Sequence, residues 1–184
     1  MRAIASEARV QPAAIYHWYP SKQAILMGLQ DDFMERLTEQ VALAVARHDR
    51  PALKLAAGVR EHVIFHGLHR KEAFVTDSEI RALPDGPRSA LIAKRDDYQA
   101  MFSGMIRDGI RDGSLRTSDV HVATYALLLQ CTGVALWFDP HGPLRLEEVA
   151  ELHVELALGS LQASSELISE AIDSGRAAMA GGAQ

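Results

Sequence analysis

Ile4-Ala5-Ser6-Glu7-Ala8-Arg9-Val10-Gln11-Pro12-Ala13-Ala14-Ile15-Tyr16-His17-Trp18-Tyr19-Pro20-Ser21-Lys22 carries two short helical patterns joined by a break and followed by a helix start. Ile4, Ala5 and Ala8 recur at helical spacing and Val10 follows a short break, the pattern of a helix that packs through small residues into a tight turn. Pro12 suits the first turn of a second helix, where its missing N–H costs nothing. Ile15 and Trp18, three apart, are expected to face inward with Val10 as core. Gln11, Ala13, Ala14 and His17 are left on the outer side, a small and polar set suited to close approach to a major groove. Tyr19-Pro20 ends the short helix, because a residue before proline is pushed out of the α region. Ser21 is a good N-cap for a third helix, and Lys22 stands at that helix start, within reach of a phosphate. The two short helices and their turn read as a helix-turn-helix.

This order, with a long amphipathic helix after it, resembles the TetR family of transcriptional repressors. The run from Ile15 to Lys22 matches that family's aromatic-aromatic-Pro-Ser-Lys signature at the junction of its third and fourth helices. The resemblance implies that Gln11, Ala13, Ala14 and His17 lie near base edges or phosphates, with Tyr16 and Lys22 on the phosphate backbone. Read without it, Tyr16 and His17 are ordinary surface residues. Arg9 stands where the family usually has glycine, which implies strain if its φ is positive, or an added phosphate contact. The resemblance also implies a helix ahead of Ile4, for which Met1 to Ala3 leave no room. The head is therefore expected to be truncated and loosely packed at Ile4, Val10 and Ile15, with operator DNA a partner once that helix is restored.

The 184 residues carry a net charge of −5 and are 48% hydrophobic, which suits an all-α protein with one or two modest cores and argues against a chain that coats nucleic acid along its length. Residues 1–24 have Arg2, Arg9 and Lys22 against Glu7, a net of +2, leaving −7 for the rest. A small basic head on an acidic body fits a DNA-binding unit joined to a sensory one. The single cysteine, Cys131, excludes an internal disulfide and lies in an apolar run, where packing is the ordinary role and redox sensing the alternative. With no secretory signal and no apolar run read as spanning a bilayer, a cytoplasmic protein without a membrane partner is expected.

Turn signals at Arg50-Pro51, Leu83 to Pro87, Asp112 to Ser114 and Asp139 to Pro143 separate predicted helices at 21–48, 52–69, 72–83, 87–113, 117–138 and 145–172. The expected organisation is a helix-turn-helix head over 1–24, a connecting helix over 25–48, a helical-bundle ligand-binding and dimerisation domain over 49–176, and a flexible tail over 177–184. Two of these helices carry more apolar surface than one copy covers. Tyr125, Leu129, Gly133 and Trp137 with Leu152, Leu156 and Gly159 are the expected homodimer contacts, a four-helix seam that the TetR resemblance also implies.

A ligand is expected in the middle of the chain. His62, Phe65, His66 and His69 fall at i, i+3, i+4 and i+7, on one helical face. With Phe74, Ile80, Leu83, Tyr98, Met101, Phe102 and Met105 they form a candidate apolar pocket, though each is equally at home in a plain core. The alternative readings are a metal-responsive regulator using His62, His66 and His69, or an enzyme with a histidine-lined pocket. No phosphate loop, nucleophile elbow or carboxylate pair supports the second, and no bound cofactor is expected. The runs Asp77 to Pro84, Arg95 to Tyr98, Asp108 to Gly113 and Trp137 to Gly142 resemble the TetR sub-group that governs lipid and steroid catabolism. That resemblance implies a small hydrophobic or acyl-CoA-like effector. Arg81 and Arg95 are candidates for its anionic group, or else pair with Glu79, Asp96 or Asp97.

Overall fold

In the computed structural model, which describes residues 1–181, the opening stretch folds as α1 (Arg2–Glu7) and α2 (Pro12–Trp18). Pro12 occupies the first turn of α2, and Tyr19 ends it in extended backbone ahead of Pro20. The Ser21 hydroxyl accepts the Ala24 N–H at 3.0 Å and so caps α3 (Lys22–Val45). Arg9 holds the turn at φ +55°, the left-handed conformation that glycine adopts without cost. Two expected core residues lie elsewhere: Val10 is 45% and Trp18 77% exposed, while Ile15 is half-buried. The reason is that α2 packs on α1, and among the described residues nothing closes over the Trp18 side.

The body is built around α4 (Pro51–Leu68), which is packed by α3, α6 (Asp85–Arg111), α7 (Val120–Thr132), α9 (Leu146–Ser160) and α10 (Ser165–Gly181). Leu55, Val59, Val63 and Phe65 are all but inaccessible, and Arg60, His62 and His66 are buried with them, so α4 is covered on most sides, as a central helix must be. At Gly67 a Cβ would fall 2.2 Å from Leu146 Cδ1, so α9 crosses α4 at van der Waals contact there. Cys131 sits in this core with its thiol pushed up to about 12 by burial, which leaves it a packing group.

Three predicted helices are divided. The segment 72–83 becomes α5 (Arg70–Ser78) and a 3-10 turn at Ile80–Ala82, because Leu83 is already extended before Pro84. The segment 117–138 becomes α7, capped by Asp119 on the Val122 N–H, and α8 (Val134–Trp137), with the break at Gly133. The segment 145–172 becomes α9 and α10. Gln162 reverses the chain at φ +55°, the Leu161 carbonyl accepts the Arg116 N–H at 2.7 Å, and Ser164 receives the Leu167 N–H. The turn lets α10 lay Leu167 and Ala171 onto the body. The helix runs on to Gly181 where a flexible tail is expected from composition, and 182–184 lie outside the described residues.

Val120–Trp137, with a mean hydropathy of 1.4, is long and apolar enough by composition to cross a membrane, contrary to the sequence reading. Here it is interrupted at Gly133 and lies against α4 and α6. Its outer side leaves Val122, Tyr125, Leu129, Leu136 and Trp137 exposed, and α9 likewise exposes Leu152 and Leu156.

Candidate functional site

A cavity of about 580 Å³ opens between α3, α4, α5, α6 and α7. α3 contributes Phe33, Met34 and Leu37, three positions one turn or less apart on the face it turns to the body. α4 contributes His62 and His66, α5 contributes Phe74, Asp77 and Ser78, and α6 contributes Arg95, Tyr98 and Gln99. The far wall is α7, with Tyr125, Leu128, Leu129 and Thr132, continued by Gly133, Ala135 and Leu136. The space is of a size that takes a small organic ligand, mostly apolar with a few placed polar groups.

The polar groups are ordered among themselves. His62 Nδ1 lies 2.8 Å from the Tyr98 hydroxyl and its Nε2 lies 3.0 Å from Thr132 Oγ1. The His66 ring stacks on it at 4.1 Å and 14°, and His66 Nδ1 donates to the His62 carbonyl at 2.9 Å. Burial holds the His62 imidazole well below its usual range, aided by repulsion from His66 and His153. His66 is lowered to about 4, chiefly by burial, with Arg95 and His69 adding repulsion. Tyr98 is raised well above the usual phenol range by burial. At neutral pH this cluster is therefore uncharged. Arg95, the one guanidinium at the cavity among the described residues, donates to the Thr76 carbonyl at 3.0 Å and to Asp77 at 3.1 Å. Burial raises Asp77, and Arg95 partly opposes that rise.

Of the expected pocket residues, the structure brings His62, His66, Phe74, Arg95 and Tyr98 to this cavity. Phe65, Leu83 and Phe102 are core residues outside its lining, and Ile80 packs on the core from the 3-10 turn. Met101 lines a different hollow with Lys94, and Met105 is core. Arg81 is exposed on the 3-10 turn, away from the cavity. His69 ends α4 and faces Glu72, with Nδ1 3.5 Å from that carboxylate. The three histidines consequently do not converge on a metal. Both ring nitrogens of His62 are engaged, His66 Nδ1 is committed to a carbonyl, and no metal-binding group of three occurs among the described residues. Among the expected dimer contacts, Tyr125, Leu129 and Gly133 also line the cavity. Trp137, Leu152 and Leu156 are exposed without lining it, and at Gly159 a Cβ would meet nothing within 4 Å.

Sequence reasoning misses the α3 and α7 walls. The spacing of Phe33 and Leu37 marks them only as joining head to body, and that of Leu128 and Thr132 as part of a buried helix. An apolar stripe reports that something covers it, not whether a neighbour or a ligand does so. The usable signal is Thr132, a hydroxyl among apolar neighbours in α7.

In the head, Arg9, Gln11, Ala13, Ala14, Tyr16, His17 and Lys22 are all exposed. The Tyr19 ring ties the head to α3, since a Cβ on Gly28 would stand 3.3 Å from Tyr19 Cε1. α3 is in turn fastened to the body by Arg36 pairing with Glu72 of α5, and by Lys94 of α6 at 2.7 Å from Asp31 and 2.9 Å from Glu35. One helix thus runs from the head to the cavity wall.

Residues 48–161 match the model of the tetracycline-repressor-like C-terminal domain. The chain is 26% identical over 169 residues to the HTH-type transcriptional repressor KstR2 of Mycolicibacterium smegmatis, covering 89% of this chain and 81% of that protein. Its fold is similar to that of a tetR-family regulatory protein from Rhodococcus RHA1, with a TM-score of 0.83, 23% identity, and coverage of 89% of this chain and 86% of that one. It is similar too to AibR, solved with isovaleryl coenzyme A and operator DNA, at a TM-score of 0.77, 24% identity and 84% of both chains. With more than half of its length matched by the family's ligand-domain model, behind a capped helix-turn-helix, this chain belongs to the TetR family of transcription regulators.

Proposed function

We propose that this TetR-type, ligand-responsive repressor binds a hydrophobic, acyl-CoA-like effector in the 580 Å³ cavity and thereby releases its operator. The observation that carries this is the double duty of α3: Phe33, Met34 and Leu37 wall the cavity, and Ser21 and Lys22 at the other end begin the helix behind the DNA-reading element. A ligand that prefers a different tilt of α3 also prefers a different placing of the heads. Linkage then weakens DNA binding by the difference in ligand affinity, typically about 1–3 kcal/mol. The acyl-CoA class is supported by the likeness to AibR and KstR2, and the apolar walls suit an acyl or alicyclic body.

Operator binding needs two heads about one DNA turn apart, near 34 Å, and hence a homodimer. The exposed apolar rows on α7, α8 and α9 are its proposed contacts. In the head, Gln11, Ala13, Ala14 and His17 are the proposed base-facing residues, and Arg9, Tyr16 and Lys22 the proposed phosphate contacts. The chain is a cytoplasmic regulator and not an enzyme on this reading. A gel shift with the DNA upstream of its own gene tests the head: the wild type retards it, and Tyr16→Ala combined with Lys22→Ala does not. Retention of binding by the double variant would overturn the contact assignment.

A further inference from the structure

The hydrogen-bond inventory of the cavity floor specifies a functional group on the ligand. His66 Nδ1 faces the His62 carbonyl, which only accepts, so Nδ1 carries the hydrogen. The ring is neutral at physiological pH, so its Nε2 is a bare lone pair. No partner for Nε2 occurs among the described residues, and the ring lines the cavity. It is a fixed acceptor awaiting a donor.

Tyr98, His62 and Thr132 form a chain beside it. The neutral imidazole has one N–H and the two hydroxyls have one hydrogen each, three hydrogens for the two internal bonds. If His62 is protonated on Nε2 it donates to Thr132 and accepts from Tyr98, leaving the Thr132 hydrogen unspent. If it is protonated on Nδ1 the chain reverses and the Tyr98 hydrogen is unspent. Either tautomer leaves one hydroxyl donor. The face-to-face stacking of His62 and His66 at 4.1 Å sets this chain alongside the Nε2 acceptor.

Resting on the cavity being the effector site, we propose that the effector's buried apolar part carries a hydroxyl group, which donates to His66 Nε2 and accepts from the free end of the Tyr98–His62–Thr132 chain. A hydrocarbon leaves both protein groups unpaired, and an ether or ketone leaves the imidazole unpaired, each a desolvation loss. A carboxylate meets the imidazole lone pair with its own, and the Arg95 guanidinium at the cavity is already engaged by Asp77 and the Thr76 carbonyl. His66 is thus the residue that sets specificity for a donor.

Isothermal titration of the full chain with octan-1-ol and its methyl ether, 1-methoxyoctane, tests this, because the two differ in donation and share the apolar tail. The alcohol is expected to bind about tenfold more tightly than the ether. His66→Phe is expected to erase that preference while the ether still binds. Should His66→Phe fail to fold, Thr132→Val serves as the second variant: it alters a hydroxyl chain that both probes meet as acceptors, so the alcohol is expected to keep its advantage, and loss of that advantage would overturn its assignment to His66. Imidazole ¹⁵N spectra of the wild type add a readout that packing alone does not move: the His66 Nε2 resonance shifts upfield on adding the alcohol and stays put with the ether. Equal affinity for both probes with an unmoved resonance overturns the hydroxyl inference and leaves the cavity as an effector site. Failure of both probes to bind overturns the cavity reading itself.

Discussion

At Arg9 the backbone takes a left-handed conformation with a side chain attached, which costs about 1 kcal/mol relative to glycine. Arg9→Gly is therefore expected to slow amide exchange across α1 and α2, as read by hydrogen–deuterium exchange, while weakening DNA binding if the guanidinium meets a phosphate. The residue's position in the turn is legible in the sequence, because the break between two short helical patterns leaves one place for it. Trp18 is not. Its spacing from Ile15 marks a shared face, but spacing carries no information on what packs there, and the side is 77% exposed. His66 makes a second residue-level prediction. Its folded value of about 4 lies below the ordinary value near 6.5, so the unfolded chain takes up the proton first as pH falls. Stability is complete above about 6.5 and declines toward pH 4, by on the order of 3 kcal/mol from this group. Denaturant titrations of wild type and His66→Phe across that window should show a flatter profile for the variant. Identical slopes would mean that His66 does not titrate as its burial dictates.

At the scale of elements, α3 is held in a conformation that leaves one of its own groups unsatisfied. Gln30 is buried, with neither amide atom hydrogen-bonded, one turn from Phe33 and Met34 at the cavity wall. Gln30→Leu is expected to raise stability by roughly 1–2 kcal/mol, because the amide is desolvated without return. Thermal denaturation checks this, and a destabilised variant would show that the amide is satisfied in solution. α10 is secured differently. The Arg60 guanidinium lies against Gly175, where a Cβ would come within 2.0 Å of Cζ, so Gly175→Ala should destabilise the α4–α10 contact by about 1–3 kcal/mol. The periods that define α3, α4 and α6 are readable because each is long and bounded by turn residues. The split between α9 and α10 escapes the periodicity, although Ser164 with an apolar residue three positions on is a helix start. One apolar stripe crosses the turn in register and hides it.

For the molecule as a whole, the outer sides of α7, α8 and α9 bear seven large apolar side chains that the single chain leaves in water. Leu129→Asp with Leu156→Asp is expected to yield a monomer in analytical ultracentrifugation and to lose operator binding with folding intact. A dimer that survives both charges would place the interface elsewhere. The head, its cap and the apolar rows can be read from residues alone, because each depends on local spacing. The cavity cannot, since its walls come from five helices and its volume is what their packing leaves over. Two of the three expected histidines reach it. His69, at the C-terminal cap of α4, lies a turn beyond and points to Glu72 instead.

If α3 couples the cavity to the head, filling the one must weaken the other's hold on DNA, and fluorescence anisotropy of operator binding at rising effector concentration measures that coupling. With 3-hydroxyoctanoyl coenzyme A as titrant at fixed ionic strength, affinity is predicted to fall about 5- to 150-fold, reaching a plateau at saturation as about 1–3 kcal/mol of coupling requires. Operator affinity that stays constant while calorimetry shows the cavity filled would mean that α3 does not couple the two.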